Sequence, residues 1–404
     1  MCIRCKGDRS TVADIQMKVI HIGHVPLPSD HPDRARLYSH PGRWVLNLAM
    51  AQAAHTLIEP RIVTQVPGAS CDWSAKVDGV DVDFVRVPDR FRAATLFQFD
   101  KRTLARWALR YDPDLVHAHG TEEAYAMAAQ ATGKPYVITL QGVFAIINRE
   151  LPPTLLSRER IVELLERRTL RRAKHVIAKS DYIGTRLAQL FPNLVIHRIP
   201  NTFDPRLLHI EATKVPRSAC FVGMVTERKG LDLVVGALRA MDRSAYPSEL
   251  HIIGNRGEGE AEYDRRVLSD LRHLLGDRLV LHGILPASDS AKIVARCAVL
   301  LAPSREEMFG NQLIEGLLVG AMPIVTDGTA MAENVRRFGR GRVVPQEDAT
   351  VLAGALRCEI HADVSVTNAS VQRTRERVDN YMGPKVVASA HGRLYERVQT
   401  GRQH

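Results

Sequence analysis

SREEMFGNQLIEG, residues 304–316, sets three glutamates around a Phe-Gly-Asn turn, where an apolar strand-like run, AVLLAPS (298–304), passes into a helical pattern. Carboxylates are costly at such a junction unless a partner meets them. Glu307 lies on the loop and Glu315 about one turn into the helix, so both can face a ligand lying across the helix start. The first N–H groups of a helix attract anions, and Gly310 lets a ligand approach the backbone. Carboxylates accept hydrogen bonds from vicinal diols, which ribose and hexose rings both present. Complementation of the helix dipole accounts for one glutamate, and less well for the pair with Phe309-Gly310 between them. Glu306 has no assigned partner and is read as a solvated acid.

Outward from this stretch, β-branched runs alternate with helical patterns. MKVIHIG (17–23), RIVTQV (61–66), DFVRV (83–87), DLVHAHG (114–120), YVITLQG (136–142), HVIAKS (175–180) and LVIHRIP (194–200) are nearly continuous apolar runs, the mark of strands buried on both faces. The pattern restarts with ACFVGMV (219–225), ELHIIGN (249–255), RLVLHGI (278–284), AVLLAPS and MPIVTD (322–327). Alternating strands and helices predict α/β architecture with parallel sheets, in two Rossmann-like domains facing across a cleft. The boundaries expected are a disordered leader at 1–16, a first domain at 17–205, a linker at 206–217, a second domain at 218–380 and a C-terminal helix at 381–404 that can pack on either domain.

With 404 residues, two cores are the natural arrangement. No window approaches ~18 uninterrupted apolar residues and the N-terminus has no apolar core, so a cytoplasmic protein without a membrane span is expected. A net charge of +10 points to anionic partners. Nucleic acid is disfavoured, since only 5% of residues are aromatic and no recognition motif occurs. The cationic stretch LPPTLLSRERIVELLERRTLRRAK (151–174) is either a solvated helix face or a surface for anionic lipid, which would place the protein peripherally on the inner face of the membrane. Cys2 and Cys5 form an isolated CIRC pair, short of the four ligands that zinc needs.

The loops at the strand ends suit a phosphorylated ligand. After the first strand comes GHVPLPSD, without GxGxxG spacing, and no Walker A motif occurs, so a nicotinamide dinucleotide and nucleotide hydrolysis are both disfavoured. In GMVTERKG (223–230), Gly223 ends a strand and Lys229 opens a helix, placing an ammonium beside free N–H groups; a solvated lysine is the plain alternative.

The ordered set MKVIHIG, DLVHAHG, IPNTFD (199–204), FVGMVTERKG, HIIGN, LVLHG and LLAPSREEMFG resembles the retaining glycosyltransferases of family 4, over residues 17 to about 400. The resemblance implies a GT-B fold and transfer of a sugar from a nucleotide-diphosphate sugar to a hydroxyl of a saccharide or lipid-linked acceptor, with no metal or other cofactor. It implies that Glu307 meets the donor sugar and Glu315 the ribose. Gly310, Asn311 and Gln312 would offer N–H groups beside Phe309, and Lys229 would bind the diphosphate. Gly223, Arg228, Gly254, Gly283 and Ile284 would line the donor pocket, with Glu333 and the Gly328 turn as its floor. Glu307, Lys229 and His119 are the candidate catalytic residues, and Gly42, Arg43, His119 and Gln141 the acceptor-side candidates, with a structural role for His119 and His24 equally open. Asp81-Val82-Asp83 has metal-binding spacing but falls within a strand pattern.

Three departures bear on activity. Met224 stands where the family carries arginine, leaving one diphosphate cation to be replaced by Arg228 or Arg256. A longer segment, 24–45, replaces the glycine-rich loop after the first strand. Gln141 stands where many members have histidine. A non-catalytic nucleotide-sugar-binding subunit and a sugar-nucleotide epimerase on the same fold are the alternatives these leave open.

Overall fold

The structure, a computed structural model, describes residues 16–28, 31, 37, 42–150, 157–254, 261–362 and 368–401. The leader up to residue 15, with Cys2 and Cys5, and Arg256 lie outside the described residues. One sheet contains β1 (Met17–Ile22), β2 (Ile58–Pro67), β3 (Trp73–Val77), β4 (Val80–Val87), β5 (Leu115–His119), β6 (Tyr136–Thr139), β7 (His175–Ala178) and β8 (Val195–Arg198), in the order β3-β4-β2-β1-β5-β6-β7-β8. The other contains β9 (Val215–Val222), β10 (Glu249–Ile253), β11 (Leu279–Gly283), β12 (Cys297–Ala302), β13 (Met322–Thr326) and β14 (Arg342–Val344), in the order β11-β10-β9-β12-β13-β14. The described pairs are parallel except β3 with β4. The central β5 and β12 are buried at every residue, which is why they read as unbroken apolar runs.

Strand order reverses between β1 and β5 and again between β9 and β12, so each sheet opens a crevice at the carboxyl ends of these strands. The α/β reading with two doubly wound parallel sheets holds. The edge strand β3 was not anticipated; it pairs antiparallel with β4 through Asp78-Gly79, both at positive φ (47° and 85°), a hairpin turn that Asp-Gly encodes. β9 begins at Val215, inside the stretch expected as linker.

After the second sheet the chain returns to the first. Helix Pro384–Thr400 packs on helix Trp44–His55, and the fully buried Tyr395 accepts a hydrogen bond from Gln52 Nε2 (3.0 Å) and lies 2.6 Å from His117 Nδ1. Among the described residues no helix is long and apolar enough to cross a membrane.

Candidate functional site

β12 ends in the loop that carries Glu306 and Glu307, and helix Asn311–Leu318, with Glu315 in it, begins at its far side. Gly310 caps that helix with φ +81°, and a Cβ there would lie 2.4 Å from Met331 Cγ, so only glycine makes the turn. The backbone of Glu307 is held by Ala330 N, which donates to its carbonyl at 2.9 Å.

β9 supplies the cations. Beyond Gly223 the chain makes a short 3-10 turn, Glu227–Lys229, and the Lys229 stem runs back over Gly223. Its Nζ donates to Glu307 Oε2 at 2.5 Å, while Arg228 Nη1 donates to the Glu306 carbonyl (3.1 Å) and stands 4.0 Å from Glu307 Oε2. Gln312 Nε2 lies 3.5 Å from the same oxygen. Burial disfavours ionisation of Glu307, whose side chain is 14% exposed, but Lys229, Arg228 and Lys179 outweigh it and hold the carboxyl well below the usual range. Met224 faces outward, and Arg228 brings a second guanidinium or ammonium charge to Glu307 beside Lys229. Gly223, Gly254 and Gly283 end three adjacent strands. Gly254 N donates to Gly283 O at 2.8 Å, and a Cβ on Gly254 would meet Gly223 O at 1.9 Å. Ile284, next along, is largely exposed.

The Glu315 carboxyl has no hydrogen bond or ion pair among the described residues. Burial, followed by the nearby Asp204 carboxylate, raises it to about 7. Phe309 differs from expectation: its ring is buried in the core, and its carbonyl accepts from Asn334 Nδ2 (3.2 Å). Glu306 is also corrected. It is 1% exposed, accepts from Tyr182 OH (2.6 Å) and lies 3.3 Å from Arg186 Nη1, so it ties the loop to helix Asp181–Leu190 of the first half. Glu333 reaches the same helix, accepting from the backbone N–H of Asp181 (3.2 Å) and Tyr182 (3.0 Å), and Gly328 N caps Asp327 instead of joining it. Ser180 Oγ donates to Met308 O (3.0 Å) and Asn201 Nδ2 to Asn311 Oδ1 (3.2 Å), so the loop touches the first half along its length.

On the first half, the acceptor-side expectations are reshaped. Arg43 is committed to Asp78 and to Asp204 (3.6 Å), and the Trp44 ring lies over Gly42, so this helix start is occupied by the protein's own groups. His119 is 3% exposed. His21 Nδ1 lies 2.9 Å from His119 Nε2 and His21 Nε2 2.8 Å from Gln52 Oε1, while both nitrogens of His117 are engaged, by Tyr395 OH and by Thr139 Oγ1 (2.6 Å). The ring nitrogens of His21, His117 and His119 lie within 4.8 Å of one another, and a metal held by all three would have to displace hydrogen bonds that His21 and His117 make here. Burial keeps all three imidazoles neutral, with His21 lowered to about 3. His119 therefore braces the crevice from below. His24 meets Tyr125 OH at 2.9 Å and is lowered by burial and by Arg92 to about 4. Asp83 is fully buried against Arg61 (3.1 Å) and Ser74 (2.6 Å), which leaves Asp81-Val82-Asp83 no metal set.

Two residues of the crevice escaped the sequence reading. Lys179 donates to Gln141 O (3.1 Å) and Oε1 (2.8 Å), and Glu122 accepts from Gly142 N (2.5 Å) with its carboxylate against the α-carbons of Gly120 and Gly142. Lysine at the end of a continuous apolar strand was the available signal, since lysine is rarely buried without a partner.

Two doubly wound, parallel-dominated sheets, with a carboxylate and cations at the strand ends of the second, have the architecture of the GT-B fold. The model described as Glycosyltransferase Family 4 matches residues 41–207, and that described as Glycosyl transferases group 1 matches residues 216–360. The chain belongs to this group of glycosyltransferases. It is 24% identical over 239 residues to a 2-deoxystreptamine glucosyltransferase of Streptomyces kanamyceticus (54% of this chain, 60% of that protein). It is 26% identical over 313 residues to a phosphatidyl-myo-inositol mannosyltransferase of Mycolicibacterium smegmatis (74% of each). The match to the first of these spans less than two thirds of its length. Among solved structures, sucrose-phosphate synthase from Thermosynechococcus elongatus superposes with a TM-score of 0.75 (19% identity, 96% of this chain, 100% of that chain), and Anabaena HepE in complex with UDP and glucose with 0.67 (14% identity, 94% and 99%).

Proposed function

We propose that the protein is a retaining glycosyltransferase that moves a sugar from a nucleotide-diphosphate sugar to a hydroxyl of a saccharide or lipid-linked acceptor, without a metal or other cofactor. The observation that carries this reading is Glu307 held ionised by Lys229 and Arg228 beside the open start of helix Asn311–Leu318. The carboxylate is an acceptor for sugar hydroxyls, and the two cations with the helix N–H groups are donors for a diphosphate. Glu315, without a protein partner and one turn into that helix, is an acceptor for the ribose diol. The UDP and glucose complex of HepE, a protein of the same fold, supports a nucleotide sugar as the ligand class.

The test is a thermal-shift panel of UDP-, GDP- and dTDP-sugars, followed by transfer assays in which the anomeric configuration of the product is read by proton NMR. A donor binding only the folded protein raises its melting temperature. Absence of any shift overturns the donor site, and a product of inverted configuration overturns retention.

Helix Arg158–Leu170 favours a lipid-linked acceptor. Arg158, Arg160 and Arg168 are exposed on it, Arg171 and Arg172 follow it, and Leu164 stands 68% exposed among them. A cationic face with an exposed leucine suits an anionic bilayer surface. Co-sedimentation with vesicles of anionic and of zwitterionic lipid tests this, and equal recovery with both overturns it.

A further inference from the structure

Lys179 follows β7 and is 6% exposed, yet no carboxylate pairs with it directly among the described residues. Its Nζ donates to two neutral oxygens, Gln141 O at 3.1 Å and Oε1 at 2.8 Å, which leaves the third ammonium proton uncommitted. Beside it, Gln141 Nε2 is buried and has no hydrogen-bond partner. The next residue, Ser180, grips the glutamate loop through Met308 O, and Lys179 Nζ stands 5.7 Å from the Phe309 ring centroid. A charged donor and a neutral donor, both short of acceptors, are therefore placed side by side on the first domain, directly across from the loop that carries Glu307.

Charge balance says what they are for. Lys229 and Arg228 face Glu307, so the second domain alone offers a net charge of about one against a ligand. A diphosphate linking nucleoside and sugar is a dianion. It gains further charge when the bond from the anomeric carbon to its oxygen breaks, because the electron pair stays on that oxygen. The anomeric carbon bonds to the acceptor oxygen, and the acceptor's proton passes to the diphosphate. Lys179 makes and breaks no covalent bond in this step.

We infer that Lys179 is the cation which the first domain contributes to the departing diphosphate, replacing the charge that Met224 does not supply, and that Gln141 aims it and adds an amide donor. This rests on the donor site proposed above and extends it to a residue on the opposite domain. Leaving-group stabilisation then requires the two domains to be together, since Lys229 and Lys179 belong to different sheets.

The experiment compares the full chain with Lys179→Met, Lys179→Arg and Gln141→Ala by calorimetric titration with inorganic pyrophosphate, inorganic phosphate, UDP and GDP, and by transfer kinetics with whichever donor is turned over. Lys179→Met is expected to weaken pyrophosphate at least tenfold and to lower kcat by about a hundredfold with the acceptor KM unchanged. Lys179→Arg restores most of both, and Gln141→Ala falls between. A merely structural role would change the melting temperature without rescue by arginine. Pyrophosphate bound equally by wild type and Lys179→Met overturns the inference alone. If Lys179→Met does not fold, unchanged pyrophosphate affinity and kcat in Gln141→Ala overturn it. A wild-type protein that binds neither pyrophosphate nor either nucleoside diphosphate overturns the donor site and this inference together.

Discussion

Glu333 in the second domain accepts the backbone N–H of Tyr182, 151 residues earlier in the chain, at 3.0 Å. Its other oxygen takes Asp181 N at 3.2 Å, so an acid from one domain caps a helix of the other. Helix Asp181–Leu190 also begins on Ser180, whose Oγ accepts from Ile183 N. Glu333→Ala leaves that second cap in place but removes the cross-domain one. The expected cost is about 1 kcal/mol, with faster hydrogen exchange at the Asp181 and Tyr182 amides. Unchanged protection at these two amides counts against the cap.

Glu307 separates binding from transfer. In Glu307→Ala the hydroxyl acceptor is lost while Lys229 and Arg228 are released from their carboxylate. Nucleoside diphosphate should bind as tightly as to wild type or tighter, while transfer falls by about a hundredfold or more. Glu307→Gln keeps the shape but not the charge, and should behave alike in transfer. Weaker diphosphate binding in both variants would show that Glu307 organises the cations and does not restrain them.

The two sheets were legible because parallel strands buried on both faces leave continuous apolar runs, as at AVLLAPS, and because helices fall between them. Glu307, Lys229 and Gly310 were legible because loop residues at strand ends stand out from the apolar pattern, and the structure brings them together. Partnerships between the domains were not legible. Glu306 looked solvated because the residue that buries it, Tyr182, lies on the other domain, and Gln141 looked like a lost histidine because its partner Lys179 is 38 residues away. Local pattern records which face a residue takes, not which distant side chain meets it.

Donor affinity should depend on pH through two groups of opposite sign. Glu315, raised by burial to about 7, is protonated below that pH and then a poorer acceptor for the ribose. Lys179, lowered by burial to about 8 despite Glu307 and Glu122, loses its charge above that pH. Affinity should therefore rise from pH 6 to 7, hold to about 8 and fall beyond it. Glu315→Gln removes the acid limb, and Lys179→Arg the alkaline one. Titration of a nucleoside diphosphate across this range checks both, and a flat profile in wild type refutes the assignment.

Glu166 gives the stability a pH dependence of its own. It is fully buried in helix Arg158–Leu170 and accepts from Thr121 Oγ1 (2.7 Å), Ala145 N (2.9 Å) and Phe144 N (3.2 Å), which secures both the loop after β5 and the start of helix Phe144–Glu150 after β6. Burial nevertheless raises it from 4.5 to about 7. A folded-state value above the unfolded one means a contribution fully present below the unfolded value and lost as pH rises through 7. Buried neutral histidines such as His21 and His24 have the opposite sign, so the readout is the difference in unfolding free energy between wild type and Glu166→Gln, whose Glu166 part should decline between about pH 4.5 and 7 by up to about 3 kcal/mol at one pKa unit per 1.36 kcal/mol. Glu315 acts in the same direction as Glu166, so this difference from wild type should be larger for the double variant with Glu315→Gln. An identical pH dependence in wild type and Glu166→Gln would mean that Glu166 stays ionised in the folded protein, held so by its three donors.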